Sequence, residues 1–451
     1  MASPVDTIVS AATPPGTGGV SIVRISGDEA PRIGQMMLGE MPEPRVAALR
    51  IFSGPDGEPI DKGIALFFPA PGSFTGEPVI ELHGHGGPVV VALLVDAAVA
   101  NGARPAEPGE FSKRAFLNDK LDLAQAEAIA DLIGSGTSQA ARAALRSLSG
   151  EFSQAVNDLV SLLTDLRVHV EAAIDFPEEE IDFLSDAQLL GRIDACGAAF
   201  ESLLATAAVG RVLRDGYQVV LVGSPNAGKS SLMNRLSGED TAIVTEIAGT
   251  TRDVLRETVD IDGLAVELVD TAGLRENPDV IEKEGIRRAR EAMTNADAVL
   301  WIQDASEPGA DELREATPMG APDGVPVVIV RNKLDLVDDY KADVGQGGAA
   351  VVALSAKTGA GLDALREQIK AIAGYKNLGE GALSARRRHV DALKRATAHF
   401  EAGKTALSET RAGEILAEEL RLAQQALGEV TGAVSSDDLL GRIFADFCIG
   451  K

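Results

Sequence analysis

The sequence predicts a multidomain protein: an α+β N-terminal domain, an α-helical bundle domain, and an α/β P-loop G domain with a mostly parallel sheet inserted into the helical one. Three observations predict it. A chain of 451 residues is enough for about three domains at roughly 150 residues each. The texture changes along the chain, from Gly- and Pro-rich with short apolar runs, to Ala/Leu/Glu-rich and helical over 120–214 and again over about 379–441. Between those helical stretches, short continuous apolar runs alternate with helix-like segments, the pattern of a parallel sheet covered on both faces. The resulting limits are 1–118, 119–213, 214–375 and 376–451.

Taken in order, residues 7–12, 19–25, 64–69 and 79–82 are short apolar runs separated by turn residues such as Pro14-Pro15-Gly16 and Pro71-Gly72-Ser73, which predicts short strands. The helical texture after Asp119 breaks near Phe176-Pro177-Glu178-Glu179-Glu180. Runs at 217–222, 266–269, 298–302, 325–330 and 349–354 predict the strands of the inserted sheet. Leu416, Leu420, Ala423 and Leu427 follow a 4-3-4 spacing, one apolar stripe on a helix, and read as bundle core.

Composition narrows the function classes. Lys+Arg number 42 against 68 Asp+Glu, a formal charge of -26. That argues against an exposed basic face gripping nucleic acid by phosphate neutralisation alone. Aromatics at 4% argue against base-stacking platforms. The two cysteines, Cys196 and Cys448, exclude a disulfide scaffold or a cysteine-based zinc site. The start lacks a basic segment followed by an apolar core, so no secretory signal is expected. The apolar stretch at 89–95 is stopped by Asp96, far short of the ~20 residues of a membrane span. The expectation is a cytoplasmic protein with no membrane span.

The motifs carry the chemistry. An apolar strand runs into Gly223-Ser224-Pro225-Asn226-Ala227-Gly228-Lys229-Ser230 and then a helix-like segment. This is the G-x-x-x-x-G-K-S phosphate loop in its required strand–loop–helix setting. Backbone N–H groups there, continuing to Ser231, close around phosphate oxygens. Lys229 supplies a point charge for the β/γ-phosphates, and Ser230 a ligand for Mg²⁺. A second strand ends in Asp270-Thr271-Ala272-Gly273, where the carboxylate can hold Mg²⁺ through water and the glycine N–H can approach a γ-phosphate. Asn332-Lys333-Leu334-Asp335 follows a third strand. Its carboxylate can accept the paired N–H donors of guanine, which adenine lacks, so the loop selects GTP over ATP. Ser355-Ala356-Lys357 can close over the base. Four motifs in this order, each at a strand end, resemble the G domain of translation-factor-class GTPases. Thr245-Glu246-Ile247-Ala248-Gly249-Thr250-Thr251 lies between the first two and reads as switch I, with Thr251 on Mg²⁺. Leu274 stands where Ras-like proteins carry the water-orienting glutamine. Two replacements are visible: Asn226, which could help hold a monovalent cation, and Glu282. On spacing alone Glu282 reads as a solvated charge among Glu276, Asp279 and Glu284.

Together with these G-domain motifs, Asp6-Thr7-Ile8-Val9, Arg24-Ile25-Ser26-Gly27, Glu81-Leu82-His83-Gly84-His85-Gly86-Gly87, the run from Gly109-Glu110-Phe111 to Lys120-Leu121-Asp122-Leu123, and Phe447-Cys448-Ile449-Gly450-Lys451 span essentially the whole chain. In these the sequence resembles the MnmE (TrmE) family of tRNA-modification GTPases, within the TrmE-Era-like GTPases. The resemblance implies an N-terminal domain that dimerises and binds 5-formyl- or methylene-tetrahydrofolate, with Arg24, Glu81, Lys120 and Lys451 as contacts. It implies K⁺ held by Asn226, Thr245, Ile247 and Thr250, G domains that meet across a homodimer, and Glu282 as the catalytic glutamate. Cys448 matches the family's terminal cysteine, for which a catalytic role stands beside that of a free thiol in a tail. It further implies an FAD-containing partner, MnmG (GidA), and a product in which C5 of a tRNA wobble uridine carries an aminomethyl or carboxymethylaminomethyl group. The alternative reading is a ribosome-assembly or regulatory GTPase whose hydrolysis only times release.

Overall fold

The computed structural model describes residues 6–175, 187–224, 226–239, 255–270, 293–294, 296–307, 324–337, 350–375, 382–434, 437–445, 447 and 450. The chain divides into two compact units, Met1–Ala130 with Gln424–Lys451, and Asp131–Ala423.

The first unit is built on a six-stranded sheet of order β3-β4-β5-β2-β1-β6. Its strands are β1 (Ile8–Ala11), β2 (Gly18–Ser26), β3 (Ala48–Ser53), β4 (Pro59–Phe68), β5 (Val79–Gly86) and β6 (Arg104–Pro105). Every pair is antiparallel except β1 with β6. Helices α1 (Ala30–Leu38) and α2 (Pro88–Ala100) supply Ile33, Met37 and Leu94 to a core with Ile25, Phe52, Ile80 and Leu82. Successive strand residues point to opposite faces. With Ile80 and Leu82 inward, Glu81 and His83 turn to the other face, and Arg24 lies directly across from Glu81 in the register of β2 and β5.

Helix α3 (Glu110–Leu117) carries an ion network. Arg114, its side chain 9% exposed, donates to Glu110 at 2.8 Å, Glu77 at 3.0 Å and Asp6 at 3.0 Å. Arg104 of β6 also pairs with Asp6 and Glu110. Leu123 and Ala126, in α4 (Leu123–Ile133), join Ile443 and Phe444 of the late helix in an apolar cluster with Phe447. Gly450 is buried with φ +96, and a Cβ there would collide with the Ala11 carbonyl oxygen, so Gly450 itself seats against the end of β1, where only glycine fits.

The second unit holds the helical stretch and the inserted sheet. The helices are α5 (Ser138–Leu148), α6 (Glu151–Asp175), α7 (Ala187–Asp215), α8 (Lys229–Glu239), α9 (Leu362–Ile372), α10 (Arg387–Thr410) and the first part of α11 (Gly413–Thr431), whose residues from Gln424 belong with α12 (Asp437–Ala445) to the first unit. Thr137 caps α5, its side chain accepting the Ala140 N–H at 3.1 Å. The predicted stripe Leu416, Leu420, Ala423 and Leu427 is fully buried on α11. Among the described residues α7 is the one helix long and apolar enough, by length and composition, to cross a bilayer. Its buried face packs against α6 and α10, where Phe200 lies 5.2 Å from Phe400, so it is a bundle helix.

The second sheet has the order β12-β11-β10-β7-β9-β8, parallel except for β8 with β9. Its strands are β7 (Tyr217–Gly223), β8 (Leu255–Ile261), β9 (Leu264–Asp270), β10 (Ala298–Asp304), β11 (Val327–Asn332) and β12 (Ala350–Ala353). One face packs Leu232, Leu236, Leu362, Leu365 and Ile369 over Val219, Leu221, Leu300 and Val330. The other packs Met293 and Ala296 over Val220, Val269 and Val299. Cover on both faces explains the unbroken apolar runs from which these strands were predicted. Strands β3, β6 and β8 are additional to that prediction. The predicted break at 176–180 lies outside the described residues.

Candidate functional site

The nucleotide motifs converge at the C-terminal edge of the second sheet, where α/β folds bind ligands. β7 ends at Gly223, and α8 starts at Lys229. Lys229 is buried, and its Nζ donates to the carbonyls of Gly223 at 2.8 Å and Ser224 at 2.9 Å. Asn226 stands exposed in the loop with φ +68. Ser230 Oγ donates to Asp270 Oδ2 at 2.9 Å, bringing together two of the three groups predicted to serve Mg²⁺. Hard oxygen donors of this kind are the ones Mg²⁺ takes.

Asn332 ties the base loop to the phosphate loop. Its Nδ2 donates to the Ala227 carbonyl at 2.9 Å, and its Oδ1 accepts the Ala356 N–H at 3.0 Å. Ser355 Oγ donates to Asp335 Oδ1 at 2.6 Å, while Lys357 Nζ stands 3.7 Å from Asp335 Oδ2. The Ser355 hydroxyl above all, and Lys357 with it, hold the Asp335 carboxyl below the usual carboxylate range. Leu334 and Asp335 lie in a 3-10 turn at Leu334–Leu336. These loops border an open pocket of about 440 Å³ lined by Gly228, Ser231, Asn332, Asp335, Leu336 and Ala356 among others.

Two members of this site escaped the sequence reading. Leu336 lines the cavity, and Asp304 receives Lys333 Nζ at 2.6 Å. Burial works to raise the Asp304 carboxyl, but Lys333 and Ser306 outweigh it and hold it below the usual range. Asp304 ends an apolar strand as Asp270 does, and that shared pattern was the available signal.

In the first unit, Arg24 Nε and Nη2 both approach Glu81 Oε1 at 2.9 Å, and His83 Nε2 lies 3.1 Å from Glu81 Oε2. The guanidinium sits over two rings, 5.4 Å from the centre of Phe74 and 5.6 Å from that of Phe111. Such cation–π placement holds the arginine in a fixed pose. Lys120 Nζ donates to the Pro71 carbonyl at 3.0 Å, on the loop that carries Phe74. Sequence reasoning missed His83, Phe74 and Phe111. The predicted residues Thr245, Glu246, Ile247, Ala248, Gly249, Thr250, Thr251, Thr271, Ala272, Gly273, Glu282, Cys448 and Lys451 lie outside the described residues.

Two family models match the chain: the GTP-binding protein TrmE N-terminus over residues 7–120, and the MnmE helical domain over residues 123–448. The chain belongs to the MnmE family of tRNA modification GTPases. Curated MnmE relatives match it end to end. The tRNA modification GTPase MnmE of Stutzerimonas stutzeri (strain A1501) is 54% identical over 452 residues, covering 99% of each chain. Those of Pseudomonas syringae pv. tomato and Alkalilimnicola ehrlichii are 54% and 55% identical, covering 100% and 99% of each chain. Guanine-nucleotide motifs and an N-terminal domain of MnmE type thus occur in one chain of the family's full length.

Proposed function

We propose that this MnmE-family GTPase works with an FAD-containing partner of the MnmG (GidA) type. Together they place an aminomethyl or carboxymethylaminomethyl group at C5 of the wobble uridine of certain tRNAs. The observation that carries this reading is the presence, in one chain, of a pocket lined by the guanine-nucleotide motifs and of the Arg24–Glu81–His83 cluster, its arginine over the Phe74 and Phe111 rings. Arg24 and Lys120 suit the anionic glutamyl tail of a 5-formyl- or methylene-tetrahydrofolate, and Glu81 suits the amino edge of its pterin. Lys451 would join them. The folate supplies the one-carbon unit when bound. The folate-binding and dimerisation domain is assigned to 1–118, the helical domain to 119–213 and 376–451, and the G domain to 214–375.

In the G domain, Asn226, Ala227, Gly228, Lys229, Ser230 and Ser231 hold the phosphates, and Asn332 with Asp335 reads the guanine. Ser230 and Thr251 would hold Mg²⁺, which would neutralise phosphate charge. Asn226, with Thr245, Ile247 and Thr250, would hold K⁺, which would supply further positive charge at the phosphates. Glu282 positions the attacking water. The G domains of a cytoplasmic homodimer close on GTP and part after hydrolysis, because the γ-phosphate holds the switches.

Deletion of residues 448–451 tests the reading. It should abolish wobble-uridine modification, measured by mass spectrometry of tRNA nucleosides from cells carrying only the truncated chain, while GTP binding is kept. Intact modification would count against it. The reading as a ribosome-assembly GTPase draws no support from the relatives above, which are named tRNA modification GTPases.

A further inference from the structure

Both connectors of the inserted sheet meet one buried carboxylate. On the way out, α7 ends at Asp215 and a single residue, Gly216, separates it from β7. On the way back, residues 382–386 lead into α10. Asp131, in the last turn of α4, has a side chain only 5% exposed. Its Oδ1 accepts Arg214 Nε at 3.0 Å and Arg386 Nη2 at 2.8 Å, and its Oδ2 accepts Ser384 Oγ at 3.0 Å. The outgoing connector is thus held through Arg214, and the returning one through Ser384 and Arg386. A water-sized cavity of about 10 Å³ lies against Asp131, Ser135, Arg214 and Ser384.

The clamp sits at the N-terminal end of β7, whereas the phosphate loop sits at its C-terminal end. Two further links hold the same end of the sheet. Arg211 of α7 pairs with Asp297, just before β10, at 2.8 Å, and Asp297 also accepts the Gln218 N–H at 3.0 Å. At the tip of the β8–β9 hairpin, Asp262 takes Lys370 Nζ at 2.6 Å, and its carbonyl takes the Tyr375 hydroxyl at 2.7 Å. That hairpin follows the switch I motif in the chain and ends at Asp270, whose carboxylate accepts the Ser230 hydroxyl at the phosphate loop.

A domain whose two connectors are clamped at one point rotates about that point more readily than it translates, and hinges are commonly a few element-terminal residues. We propose that Asp131 is a positioning residue for tRNA modification, the pivot that passes the GTP cycle of the inserted sheet to the helical scaffold. It acts through Arg214 and Arg386 and not on the nucleotide.

Asp131→Asn keeps the shape and an acceptor while removing the charge. In the full-length protein it should leave GTP affinity and turnover within about twofold of the parent. It should lower tRNA modification at least about tenfold, within the range of ordinary coupling energies. Modification is read by mass spectrometry of tRNA nucleosides from cells carrying only the variant. R386Q should behave alike, and the double variant should be no worse than either single one, since both open the same clamp. Should D131N fail to fold, Ser384→Ala removes only one hydroxyl and should cost about two- to fivefold in modification with turnover unchanged. Unchanged modification in folded D131N, or in S384A where that variant is the one used, overturns the proposal. So does turnover that falls in proportion to modification.

Discussion

At Gly228 the backbone has φ +95, and a Cβ would collide with Asn332 Nδ2. That amide is the group bridging the base loop to the phosphate loop. Gly228→Ala therefore strains the backbone and displaces the bridge together, a cost of about 1–3 kcal/mol. GTP affinity should fall about 5- to 150-fold, measured by calorimetry on the folded variant. Lys229, Asp270 and Asp335 were legible in the sequence because each sits in a motif whose spacing fixes it to a strand end. Asp304 was not, because a strand-end aspartate without a neighbouring motif is ordinary. Phe74 and Phe111 were illegible for a different reason. They reach Arg24 from a loop and a helix far apart in the chain, and no local spacing encodes that meeting.

Strands β7, β10 and β11 could be read because both sides of their sheet are covered, so every position is apolar. β3 escaped because it alternates: Phe52 enters the core while Leu49 and Ile51 face out at 60% and 52% exposure. β8 escaped because its Leu-Arg-Glu-Thr-Val-Asp-Ile sequence is largely polar. The network joining α3 to β6 ties stability to pH. Burial works to raise Glu110, but Arg104 and Arg114 outweigh it and hold its carboxyl below the ordinary 4.5. Asp6 is likewise held below 3.8, chiefly by the Arg104 hydrogen bond. Carboxyls depressed in the folded state stabilise it fully above their ordinary values, and that stability is lost as pH falls through the depressed ones. The thermal midpoint of the parent should be flat from neutral pH down to about 5 and drop below that. Glu110→Gln should lower the neutral midpoint by several degrees and flatten the acid drop, because it leaves two arginines short of a partner. A parallel acid drop in both proteins would remove Glu110 from the account.

For the whole molecule, the charge of -26 bounds how tRNA is held. A protein that grips RNA by neutralising many phosphates loses affinity steeply as salt rises. This chain alone should bind tRNA weakly, and between about 50 and 200 mM salt its affinity should change less than about tenfold, checked by filter binding. A steep loss would mean that a local patch, with Arg387 and Lys394 the first place to look, suffices as the grip. The division of the chain has a consequence for how the protein is made. The first unit is assembled from the two ends of the sequence, and Leu123 and Ala126 are covered by Ile443, Phe444 and Phe447. On the ribosome, domains generally fold as they emerge, the N-terminal one first. Here the first sheet can form early, but the apolar face of α4 stays bare while the whole inserted domain is synthesised and folded. Helix α12 and Phe447, made after that domain, close it. A chain truncated before α12 would therefore keep the GTP motifs and carry an open hydrophobic seam, the kind of surface that chaperones and proteases read as unfinished.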